Sequence, residues 1–368
     1  MFSVLIDTSA YEALRLAFKG DIFDSLKKLS DEQKTTIVGS DILTKEMESH
    51  LKETIAKSVN KLGSLNKDLD RLVQNDFGLI SSLLSDTTKF KDDLFNERKK
   101  RIDDYFDSII YEKLDIAKVD NNKIIDDYFN IKPPFGEGNK RKEFPDAFIL
   151  NAFIDEYGDN LASTCLISQD ADWKKFAAQF PDIRFFDSIA EFVDFIHTEY
   201  DSVFMASLKT AVEGKNDLIV SYLQDVISDN EITIDDLWID PEIELDPESV
   251  TVKIIDFNVI SFESESAKID VKIHVTYEAW LWAYDETASY KDDDTKSWVY
   301  FGQNQYSATV KKEVSVEIEV GFDPHPNVFA DTLEVLDASI PDDLFYVDEE
   351  QHIELVKHWN DNDDYESI

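Results

Sequence analysis

Cysteine is nearly missing from this chain. One residue, Cys165, stands among 368. A single thiol excludes an internal disulfide and any zinc site built from several cysteines. Glycine (10) and proline (9) are scarce too. No Gly-rich phosphate loop of the kind that opens nucleotide-binding folds is present. No apolar run is long enough to span a bilayer. The start, "MFSVLIDTSAYEALRL", lacks the basic lead and cleavage site of a signal peptide. These absences lead us to expect a cytoplasmic protein. Positive charge is the last shortage. Lys and Arg number 37 against 78 Asp and Glu, a formal net charge of −41.

That imbalance is uneven. Residues 201–368 carry 40 acidic and 10 basic side chains, and residues 1–200 carry 38 and 27. The asymmetry suggests two units with different partners. A unit with a net charge of −30 repels a phosphate backbone at long range. Nucleic acid, if bound, is expected on the first unit.

Four apolar runs punctuate residues 1–200: "FSVLID" (2–7), "TTIVGSD" (35–41), "TCLISQD" (164–170) and "IRFFDS" (183–188). Helical patterns at 9–19, 42–60, 146–157, 171–179 and 188–199 separate them. Buried strands alternating with helices predict a parallel sheet covered on both faces. Ligand sites in such sheets lie beyond the carboxyl ends of the strands. Residues 51–130 break the alternation. Apolar residues from Leu51 to Val73 and from Ile102 to Ile110 recur at three and four, which predicts long helices forming an arm. After residue 200 the period becomes two, as in "KIDVKIHVTYEAWLWAY" (268–284) and "ATVKKEVSVEIEVGF" (308–322). This predicts an acidic antiparallel β-domain over 227–368, sandwich-like or strongly curved. A linker helix at 201–226 is expected to lead into it.

Four carboxylates then fall at one predicted sheet edge. Asp7 ends the first strand. Glu46 lies in the helix after the second, with Glu48 competing for its role. Asp146 opens the helix of "KRKEFPDAFILNAF" (140–153). Asp170 ends the third strand, with Asp172 two residues on. Each has a plainer reading. Asp146 follows Pro145 and suits a helix first turn, Glu46 suits an exposed helix face, and Asp41 and Asp170 suit helix caps. Gathered, they would repel one another unless a hard divalent ion such as Mg²⁺ or Mn²⁺ lay between them. The matching chemistry is metal-assisted phosphodiester hydrolysis.

These segments resemble those of PIN-domain nucleases. "VLIDTSAY" is similar to their opening strand and Asp-Thr/Ser. "LTKEM", "PDAFIL" and "LISQDADW" resemble their second, third and fourth acidic sites, and the order agrees over roughly residues 1–200. The "KRKEFPDAF" variant resembles a bacterial PIN-like subfamily. The resemblance implies a Mg²⁺- or Mn²⁺-dependent ribonuclease with Asp7, Glu46, Asp146 and Asp170 as metal ligands. It implies Asp172 as an auxiliary acid, and Thr8 and Ser168 as orienting groups. Two basic clusters are candidates for contact with RNA: Arg98, Lys99, Lys100 and Arg101, then Lys140, Arg141 and Lys142. Phe135, Phe144 and Trp173 could stack on bases, although core packing explains them as well.

Other readings stand beside this one. PIN folds resemble flap nucleases, so single-stranded DNA is an alternative substrate. The acidic β-domain could regulate the nuclease by competing for its basic residues, dock a basic protein, or mimic nucleic acid on a non-catalytic scaffold. The stretch "DETASYKDDDTKSW" (285–298) lacks the glycine and final glutamate of a Ca²⁺ loop, and reads as solvated. The histidines are scattered singly and form no ligand pair along the sequence.

Overall fold

The computed structural model describes residues 1–72, 86–136, 143–234, 242–284, 289–291, 298–300, 302–323, 329–347 and 352–357. Lys140, Arg141 and Lys142, and most of the 285–298 stretch, lie outside the described residues. The chain divides into two compact units, Met1–Ile196 and His197–Ile368.

In the first unit, β1 (Phe2–Ile6), β2 (Thr35–Gly39), β3 (Tyr111–Lys113), β4 (Thr164–Ile167) and β5 (Arg184–Phe186) form one sheet in the order β3-β2-β1-β4-β5. Every pairing in it is parallel. β2 is buried along its whole length, as a strand covered on both faces must be. The chain leaves β1 toward β2 on one side and returns through β4 on the other. The crevice between the ends of β1 and β4 is therefore the switch point of the sheet, where such folds bind ligands. Asp7 N–H donates to the Ile167 carbonyl at 2.9 Å across that point.

Helices cover both faces. They are α1 (Thr8–Ala13), α2 (Asp21–Asp31), α3 (Asp41–Leu72), α4 (Thr87–Asp107), α5 (Asn121–Phe129), α6 (Phe144–Tyr157), α7 (Ala171–Ala177) and α8 (Ile189–Tyr200). The apolar run after Asp146 becomes α6. Ala147, Ile149, Leu150, Ala152 and Phe153 are buried with Leu5, Val38 and Leu166 of the sheet. At roughly 1.5–3 kcal/mol per large apolar side chain removed from water, this burial fixes where the first turn of α6 must lie.

Three local features depart from the periodicity reading. The expected helix 9–19 stops at Ala13, and Arg15, Leu16 and Phe18 adopt left-handed backbone with φ of 56°, 48° and 46°. Tyr111–Lys113, inside the predicted arm, forms edge strand β3, and three residues are too few to show a period. The cap of α3 is Ser40, whose Oγ accepts the Leu43 N–H at 3.2 Å, and not Asp41, which is paired with Lys113 at 2.5 Å.

The arm itself is present. α3 is 32 residues long, about 48 Å at 1.5 Å per residue. Lys99 meets Glu48 at 2.6 Å, the Lys52 ammonium lies over the Phe95 ring, and Lys91 Nζ donates to Asn60. Positions rise on α3 as they fall on α4, so the two helices run antiparallel.

In the second unit, strands Ser266–Tyr284 and Gln303–Gly321 pair antiparallel over their full 19-residue length. Ile269, Val271, Ile273, Val275 and Tyr277 are buried, as the period-two pattern predicts. The layer facing them is helical. The expected linker is two helices, Ser202–Gly214 and Asn216–Ser228. They place Met205, Leu208, Val212, Ile219, Leu223 and Ile227 in the same core. These helices fall within the second unit and share its apolar core.

Gly39 ends β2 beneath the Tyr111 ring. A β-carbon there would collide with the Tyr111 ring and hydroxyl. Gly39→Ala should therefore displace Tyr111 and destabilise the unit by about 1–3 kcal/mol, the usual cost of overpacking. Thermal melting of the variant, with Gly63→Ala as a control where a β-carbon meets nothing, checks this.

Candidate metal centre

Asp7 is the N-cap of α1 and is 7% exposed. Burial raises its pKa, while hydrogen bonds from Ser9 and Ser168 oppose the rise. Ser168 Oγ donates to Asp7 Oδ2 at 2.7 Å and also accepts the Asp170 N–H at 2.9 Å. Ser168 therefore ties the ends of β1 and β4 together.

Glu46 reaches the same edge from the second turn of α3. Thr8 Oγ1 donates to Glu46 Oε2 at 3.3 Å. The Glu46 pKa is raised, first by burial and then by the charge of Asp7. Glu48 faces Lys99 instead, which separates the two glutamates that the sequence left in competition.

Asp146 lies in the first turn of α6, beside Pro145. Its pKa is pushed up to about 7, first by burial, then by the charges of Asp7, Glu46 and Asp170; a hydrogen bond from Trp173 opposes them. The indole N–H of Trp173 can only donate, so it holds the ionised form. Trp173 is 1% exposed and Phe135 3%, and Phe144 packs on Phe135 and Tyr128. These rings are core, not surfaces for bases.

Asp170 serves as N-cap of α7 and accepts the Asp172 N–H at 2.7 Å. The capping reading holds, and Asp170 still acts electrostatically on Asp7 and Asp146. Asp172 pairs with Lys175 at 2.6 Å. The structure thus brings Asp7, Glu46, Asp146 and Asp170 to one edge, each within electrostatic reach of at least one other.

Three residues of this edge escaped the sequence reading. Ser9 donates to Asp7 Oδ2. Glu12 pairs with His50 Nδ1, and both act on Glu46. Glu12 lies four residues after Thr8, and His50 four after Glu46. That i,i+4 spacing puts them on the same helix faces and was a signal that could have found them.

The donor set suits a hard divalent ion: carboxylate oxygens, no thiolate, and in Asp7, Glu46 and Asp146 three acids whose pKa values are raised by burial and by the charge of neighbouring acids. Among the described residues no three acid or histidine side chains already converge on one ion position. The fit therefore rests on the donors and on their mutual repulsion.

Residues 4–173 match the family model described as PIN domain. The match spans β1 from Val4, then β2, β3, β4 and all four acids, with β5 beyond it, and this region has a PIN-like fold. PIN domains are in general metal-dependent nucleases that use divalent ions, usually Mg²⁺ or Mn²⁺. Neither the curated proteins nor the solved structures compared with the chain give a match. No helix among the described residues is long and apolar enough to cross a membrane.

The basic cluster on α4 divides. Arg98 Nη2 donates to the carbonyls of Arg15 and Leu16 at 3.0 and 3.1 Å, Lys99 bridges Glu48 and Asp103, and Arg101 meets Glu97 at 3.5 Å. Lys100 is exposed. Arg98→Ala should cost about 1–3 kcal/mol of stability, since two carbonyls lose a charged donor. Lys100→Ala should leave melting unchanged. Equal melting of both variants would show that Arg98 does not hold this turn.

The raised acids make stability depend on pH with a definite sign. An acid whose pKa is higher folded than unfolded contributes stability below its unfolded value, and loses it as pH rises through the folded one. For Asp146 that window runs from about 4 to about 7. Asp270 of the second unit, pushed up to about 6, adds a loss of the same sign. Metal-free protein should therefore melt progressively lower from pH 4 to 7.5, and Asp146→Asn should melt higher than the parent at pH 7.5. Melting curves of both proteins across this range, with Mn²⁺ added at the upper end, measure it. Mn²⁺ should raise the parent more than the variant.

Proposed function

We propose that the first unit is a metal-dependent endoribonuclease. The observation that supports this most directly is the Asp146 carboxyl. Burial and the charges of three other acids push its pKa up to about 7, and a divalent cation is the natural partner for such a set. Asp7, Glu46, Asp146 and Asp170 would hold the ion. When bound, it supplies an activated water and stabilises charge on the attacking and leaving oxygens. The chain's own residues prepare the site. Ser9 and Ser168 orient Asp7, Thr8 orients Glu46, and the Trp173 indole orients Asp146. The core beneath α6 keeps the Asp146 edge largely dry, which strengthens every charge interaction there. Asp172, held by Lys175, is an auxiliary acid beside Asp170.

Single strands suit a site at an open sheet edge. Substrate contact falls to exposed Lys100 and to Lys140, Arg141 and Lys142 just ahead of α6. The net charge of −30 on residues 201–368 supports a regulatory or docking role for the second unit, with a basic protein as partner.

Labelled RNA and single-stranded DNA, each incubated with Mn²⁺, Mg²⁺ or chelator, test the reading. RNA should be cut with either ion and spared with chelator. Asp146→Asn should lower the rate at least a hundredfold while remaining folded. Equal cutting by variant and parent would overturn the site. Preferential cutting of DNA would replace the substrate and keep the centre.

A further inference from the structure

Beside the acid edge lies a cavity that the nuclease reading does not use. It holds about 440 Å³, within the roughly 300–1,000 Å³ of small-molecule sites. Leu16, Leu51, Ile55 and Leu94 give it apolar walls, and Glu12 and Arg98 add an acceptor and a guanidinium. Thr54 and Ser58, both exposed, stand at its mouth.

Its position follows from the pairing of α1 with α3. Thr8 meets Glu46, and one turn on Glu12 meets His50. One further turn along α3 is Thr54, on the cavity wall. Eight residues separate Glu46 from Thr54, about 12 Å along the helix. That reach suits a nucleotide a few positions from a phosphate held at the acids.

The opposite wall is the turn after α1. Arg15 and Leu16 hold left-handed backbone, and L-residues there carry strain of about 1–3 kcal/mol each. The Arg98 guanidinium clamps both of their carbonyls. Simple chain reversal would be cheaper with glycine. The turn instead presents Leu16 to the cavity and keeps the Arg98 plane beside it.

We propose that this cavity binds one unstacked base of the single-stranded substrate, and that the base is guanine. Apolar walls and a guanidinium plane suit a nucleobase face. Guanine presents two adjacent donors, N1–H and N2–H₂, and a carboxylate offers about four lone-pair sites. His50 occupies one of these on Glu12 Oε1, which leaves a site on Oε1 and two on Oε2, so guanine would place N1–H and N2–H on the two oxygens side by side. The inference deepens the nuclease reading and rests on it for the identity of the strand.

The test compares a fluorescent ten-nucleotide uridine oligomer with the same oligomer carrying one guanosine. Binding is read by anisotropy in chelator, with the full chain. The guanosine oligomer should bind the parent about tenfold more tightly. Thr54→Trp, which fills the mouth from an exposed position, should bring the ratio near one without changing the melting temperature. Ser58→Trp serves if Thr54→Trp does not melt like the parent. A ratio near one in the parent, or a ratio kept in the tryptophan variant, overturns the proposal. Cleavage of the all-uridine oligomer with Mn²⁺ separates the two readings. Cleavage without guanosine preference sinks the base site and spares the nuclease. Preference without cleavage of either oligomer sinks the nuclease and leaves a guanine-binding cavity.

Discussion

Burial of acids side by side at one sheet edge is the constraint on which this structure turns. Four carboxylates from four segments each lie within electrostatic reach of at least one other at the ends of β1 and β4. Bringing them there opposes folding, because burial and like charge both penalise ionisation. The surrounding elements are arranged to bear that load. The parallel sheet supplies the ends of β1 and β4, and Ser168 links them by accepting from Asp170 and donating to Asp7. The buried face of α6 holds Asp146 in place through Ala147, Leu150 and Phe153. The core thus sustains an arrangement that electrostatics alone would disperse.

The same logic orders the space around the acids. α1 is short and ends in a left-handed turn, so its successive turns meet α3 at Thr8 and then Glu12 before the chain swings away. The swing leaves the cavity between α1, α3 and α4. Arg98 closes its far side by binding backbone carbonyls. A basic residue that reads as a phosphate contact is here a structural clamp. Its neighbour Lys100 points the other way in function, because it remains exposed.

Charge separates the two units chemically. The second unit is built on two 19-residue strands and two helices that share one apolar core. Its surface carries most of the net −41. Exposed charges of this density act over roughly a Debye length, about 10 Å at 0.1 M salt. Such a surface repels a phosphate backbone at long range, which is why strand binding is proposed for the first unit.

Much of this was legible in the sequence, because periodicity records burial. The strands near 2–7, 35–41, 164–170 and 183–188 stand out as apolar runs of strand length, and the β-domain as strict alternation. The acids were visible as residues at strand ends and helix starts, and their order carried the resemblance to PIN domains. Periodicity does not record partners. Whether Glu46 or Glu48 faces the site depends on which side of α3 meets α4, and Lys99 decides it. Whether Trp173 stacks on a base or supports Asp146 depends on how deeply α7 packs. The turn at Arg15–Phe18 has no glycine or proline to announce it, and β3 is too short to show a period. Sequence alone determined which residues are apolar, which are acidic, and where the longer strands and helices lie. Tertiary structure decided which acids repel one another, because that depends on distance across the sheet edge and on the water excluded from it.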